Sequence, residues 1–147
     1  MRRTSTALLS VLGVLLVARI AQAQEIMFVA NPAASVSQIS RDQLRDIFIG
    51  ARTRFGDGSR AVPVLLKGGP VHEVFLSRIV GDSPDGFRVR WRRVGFTGQG
   101  AMPKEFQSEA AVLDYVSATP GAIGYVSRVP DPHAVKVLTV LTDSAKK

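Results

Sequence analysis

The sequence predicts an α/β domain, a single layered unit with a mixed sheet of four to five strands flanked by helices. Three observations carry that expectation. Short apolar, β-rich runs at 25–30, 61–66, 119–127 and 134–141 read as strands. Helix-start patterns stand at Ser40, Pro70, Ser83 and Ser108. Strands and helices follow one another along the chain, which is the pattern of a layered α/β fold.

Each element has its own warrant. The run "EIMFVA" is stopped by Asn31-Pro32, and the "NPAASVSQ" that follows reads as a loop. Ser40 and Gln43 form a capping box, Asp42 suits the positive end of the helix dipole, and Leu44, Ile47 and Phe48 share one face. Gly50 ends this helix and Asp57-Gly58 marks a turn. In the strand "AVPVLL", Pro63 implies an edge or an early position, because proline donates nothing to a ladder. Pro70 then suits a first helical position, and Val71, Val74, Phe75 and Ile79 form an apolar face that Gly81 closes. Ser83-Pro84-Asp85 opens a third helix that places Phe87, Trp91 and Val94 together. A glycine-rich loop covers 95–103, and Ser108 caps a helix over 109–117 with Val112, Leu113 and Val116 inward. Pro120-Gly121 turns the chain into the third strand, and "AVKVLTVL" is the fourth.

Residues 1–23 read as a secretory signal. Arg2 and Arg3 precede a twelve-residue apolar run, Ala7 to Ala18, and Ala21-Gln22-Ala23 is a small-x-small cleavage site. That run is too short to cross a hydrocarbon core of about 30 Å. Cleavage after Ala23 is expected to leave a domain at 24–147 in the periplasm, with no stable membrane insertion. The chain has no cysteine, so neither disulfides nor soft metal sites enter. Its net charge of +7 falls to +4 once Arg2, Arg3 and Arg19 are set aside. Arg88, Arg90, Arg92 and Arg93 are its densest basic patch, with no aromatic series for stacking bases. This reads as a solvated helix face, and no nucleic-acid partner is expected.

No catalytic pattern stands out. His72 and His133 lie far apart, and "HEVF" lacks the second histidine of a zinc-protease helix. There is no G-x-S-x-G elbow, and "GFTGQG" has the wrong spacing for a phosphate loop. The sequence therefore predicts neither an enzyme nor a cofactor or metal site. The informative stretch is "LLKGGPVHEVF". A strand entering Gly68-Gly69 and then a helix aims amide N–H groups and the dipole's positive end at one point, and Lys67 adds a full charge. The candidate ligand-binding residues are Lys67, Gly68, Gly69, Val71 and His72. Taken alone, the same loop also reads as a plain tight turn, with His72 on the surface of an early helix.

Three pieces together, "ISRDQLRDIFIGARTRFGDG" at 39–58, "VPVLLKGGPVHEVF" at 62–75 and "ATPGAIGYV" at 118–126, resemble the phosphate ABC-transporter substrate-binding proteins of the periplasmic-binding-protein superfamily. The resemblance covers about residues 26–127. It implies one lobe of a fold that normally has two, with phosphate or another small oxyanion held at the helix-opening loop. It also implies an ABC permease, or a second copy of the chain, as partner. The sequence departs from that pattern where it matters. Phe55 stands where tryptophan is usual, and Gly69, Pro70 and Val71 stand where the family presents Ser-Gly-Thr. The alternative implied by those losses is an envelope interaction or sensor module that has kept the lobe and lost tight binding, using Arg52, Arg54 and the arginines of 88–93 as its surface.

Overall fold

A computed structural model describes residues 25–128 and 130–142. The expected secretory signal lies outside them. Six strands, β1 (Met27–Ala30), β2 (Gln38–Ser40), β3 (Val62–Leu66), β4 (Lys104–Phe106), β5 (Ala122–Val126) and β6 (Lys136–Leu141), form one sheet in the order β2-β6-β1-β5-β3-β4. The helices are α1 (Arg41–Phe48), α2 (Pro70–Phe75), α3 (Pro84–Phe96) and α4 (Glu109–Ala118). The sheet is mixed as expected: β1 runs antiparallel to β5 and β6, while β3 runs parallel to both its neighbours.

The count of four to five strands is corrected to six. The two additions, β2 and β4, are three-residue strands at the sheet's two edges. Each takes its extended form from a parallel partner, β6 or β3, and has too few residues to show a period. Pro63 occupies the early position and not the edge. It pairs with Ile123 of β5, and β4 joins only from Val64 onward. The helix expected to run to Gly81 changes its winding: α2 continues as a π-helical segment, Leu76–Val80, before Gly81 closes it at φ 72°.

Strand β5 shows how the layers sit, because all five of its residues are buried. Successive residues face opposite sides of a sheet. On one side Gly124 lies under α4, where an added Cβ would come within 2.8 Å of the Val112 side chain. On the other side the Tyr125 ring stacks on Phe75 at 4.1 Å and meets Phe48 and Phe28 at about 6 Å. Phe48 belongs to α1 and Phe75 to α2, so these helices cover the face opposite α4. Glycine at 124 lets α4 approach closely, while the aromatic cluster fills the thicker half. Each such ring pair contributes about 0.5–1.5 kcal/mol beyond its buried area. Trp91 of α3 is tied to this half through its indole N–H, which donates to the Phe48 carbonyl at 3.1 Å.

Candidate functional site

The four helix starts among the described residues differ in one respect. Ser40 accepts from the Gln43 amide and Gln43 answers with its own side chain, the expected capping box. Ser83 accepts from Gly86, and Ser108 accepts from Ala111. Helix α2 has no side-chain cap. Its N-cap is Gly69 at φ 90° and ψ 175°, backbone that only glycine adopts without strain. Pro70 supplies no N–H. The Lys67 amide is used by β4, donating to Phe106 at 2.9 Å, and Glu73 donates to the Gly69 carbonyl. Among the described residues, the amides of Gly68, Gly69, Val71 and His72 find no protein acceptor.

The loop leaves β3 at its carboxyl end and borders a cavity of about 180 Å³. Lys67, Gly68, Gly69 and His72 line it, together with Glu73, Phe87, Arg88 and Glu105. Four of the five sequence-predicted residues are thus brought to one concavity. Val71 is not among them. Its side chain is buried in the core, which leaves only its amide to offer. The surface placement of His72 is corrected to a half-buried one. Its Nδ1 lies 2.6 Å from the Tyr125 hydroxyl, which also accepts from the Leu66 amide at 3.1 Å.

That chain of contacts constrains the proton positions. Burial pushes the Tyr125 phenol far above its ordinary range, so the hydroxyl keeps its proton. Burial also holds His72 below the usual histidine value. The Glu105 carboxylate opposes that shift, the Arg88 charge reinforces it and Glu73 again opposes it. In the neutral tautomer that accepts the Tyr125 O–H at Nδ1, His72 carries its own proton on Nε2. The cavity wall then presents backbone amides, an imidazole N–H, and the Lys67 and Arg88 cations. Glu73 and Glu105 oppose an anion there. Arg88 is also shared with Asp85 at 3.8 Å, an exposed pair of little energetic weight.

Arg88, Glu105 and Tyr125 were not legible as site residues. They come from α3, β4 and β5: the parallel pairing of β3 with β4 and β5 brings Glu105 and Tyr125 beside the loop, and α3 brings Arg88 to the same cavity. One signal was present, since a tyrosine inside the apolar run "AIGYV" needs a hydroxyl partner once buried. Among the described residues, no three His, Asp or Glu side chains come together in a way that would hold a metal ion.

No protein-family model matches the chain. Solved structures do. A protein from Clostridium perfringens, described as a phosphate ABC transporter substrate-binding protein with bound phosphate, aligns with a TM-score of 0.58 and 19% identity over 78% of this chain and 44% of its own. An ABC-type phosphate transport receptor from Vibrio cholerae aligns at 0.57 and 16% identity, over 78% and 45%. PstS from Borrelia burgdorferi aligns at 0.59 and 12% identity, over 78% and 46%. The chain has the fold of one lobe of a periplasmic binding protein. The lobe spans under half the length of each of these structures. At such identities the likeness establishes the fold of the lobe, and the phosphate in the first structure belongs to that protein.

Proposed function

We propose that the lobe is an exported, non-catalytic solute-binding protein that takes phosphate or another small oxyanion at the start of α2. Lys67 supplies charge, Gly68, Gly69 and Val71 supply amide donors, and His72 donates from Nε2. The observation that carries this reading is the uncapped start of α2 beside a cavity, where the other three helix starts among the described residues are capped by serine. Unpaired amides at a helix's positive end are an anion site in waiting. The shared fold with phosphate-binding proteins supports the same ligand class. Among the described residues no helix is long and apolar enough to cross a membrane. The signal-like segment at 1–23 supports delivery to the periplasm, where an ABC permease is the natural partner.

Affinity is expected to be modest. Hydrogen bonds to a charged group contribute about 1.5–3 kcal/mol each. Pro70 and Val71 stand where hydroxyl donors would add such bonds, and Glu73 and Glu105 repel the ligand. Thermal melts in phosphate, sulfate and chloride at matched ionic strength test the proposal. Millimolar phosphate is expected to raise the melting temperature, and Lys67→Ala to weaken that response about tenfold or more. Equal melting in all three salts would refute it.

A further inference from the structure

A second cavity, of about 300 Å³, lies at the opposite end of the sheet, beside the starts of β3 and β4. The loop after α1 and the glycine-rich loop 97–103 close its sides. Its floor is apolar, from Ile47 and Val64, and its walls carry the rings of Trp91 and Tyr115. Among the described residues, three cations reach it, Arg52, Arg60 and Lys104, and no carboxylate lines it. Among the described residues, none of the three forms an ion pair. The Lys104 ammonium stands over the Tyr115 ring, 5.1 Å from its centroid. Trp91 is only 5% exposed, and its indole N–H is already committed to Phe48, so the ring is a fixed wall and not a mobile cover.

An apolar floor, two aromatic walls and an unbalanced triple positive charge fit one chemical class. We propose that this cavity binds a small organic anion with a flat apolar body, an aryl carboxylate. The carboxylate meets the guanidinium groups and the ring lies against Trp91. Inorganic phosphate fits poorly, because it has no apolar part to cover the floor. The contrast with the cavity beside α2 is one of composition: there two cations face two carboxylates and the donors are amides, whereas here the cations are unopposed. The inference does not depend on oxyanion binding at α2.

Trp91 is the only tryptophan of the chain and lines this cavity as well as a groove beside Arg92 and Phe96, so its emission reports binding and the Arg60 and Lys104 variants assign that binding to this cavity. The full chain is titrated with phenylacetate, with its neutral isostere phenylacetamide, and with inorganic phosphate. The expected result is a saturable change in Trp91 emission with phenylacetate, at least tenfold weaker with phenylacetamide and absent with phosphate. Arg60→Ala and Lys104→Ala, both at exposed positions that should leave the circular dichroism spectrum unchanged, each weaken the response, while Lys67→Ala leaves it intact. No saturable change with phenylacetate, or equal responses to the acid and the amide, would overturn the proposal.

Discussion

Strands β3 and β4 lie side by side, run parallel and each turn into a helix at the same end of the sheet. The two turns are finished differently. After β4, Ser108 caps the Ala111 amide, and the Glu109 carboxylate accepts from both the amide and the hydroxyl of Ser127 at 3.0 and 2.7 Å. That helix start is closed on itself. After β3 the chain uses Lys67-Gly68-Gly69-Pro70, no side chain returns to cap the helix, and a cavity stands beside it. One geometry thus serves two ends, a structural turn and an open one. The difference rests on serine and glutamate against two glycines and a proline.

Substitutions can break this contrast in graded steps. Gly69→Ala is expected to cost about 1–3 kcal/mol, all of it backbone strain at φ 90°, since no atom lies within 4 Å of an added Cβ. Chemical denaturation measures it, and a neutral result would mean that the loop relaxes out of the glycine-only region. Tyr125→Phe leaves the buried Leu66 amide without an acceptor and frees His72, at an expected cost of about 1–3 kcal/mol. Ser108→Ala at the closed turn should cost about 1 kcal/mol and leave phosphate affinity unchanged. The smallest effect concerns pH. His72 is held below its unfolded value of about 6.5, so below that pH the unfolded chain binds more protons than the folded one. Stability is therefore expected to decline as pH falls below about 6.5, and His72→Gln should flatten that part of the curve. An unchanged slope in the variant would show that His72 titrates normally.

Legibility in the sequence followed the range of the interaction. All four helix starts could be read, because caps and first-turn prolines act within three or four residues. The four longer strands could be read from the apolar, β-rich stretches at 25–30, 61–66 and 119–127 and from the alternation over 134–141. Strands β2 and β4 could not: Ile39 is the only buried residue of β2, and β4 has none. Their extended form is set by β6 and β3, far away in the chain. The same holds at the site. Lys67 to His72 are neighbours and announce themselves as a loop. The tie between His72 and Tyr125 spans 53 positions, and the charges of Arg88 and Glu105 arrive with other elements. The cavity lined by Arg52, Arg60 and Lys104 draws on still more segments, and no local pattern marks it.

The most direct test of the open helix start is a phosphate titration followed by amide nuclear magnetic resonance at constant ionic strength. Saturable shifts are expected at the amides of Gly68, Gly69, Val71 and His72, with Ala111 at the closed turn unmoved. Still amides at 68–72, with shifts absent or centred elsewhere on the lobe, would contradict oxyanion binding there.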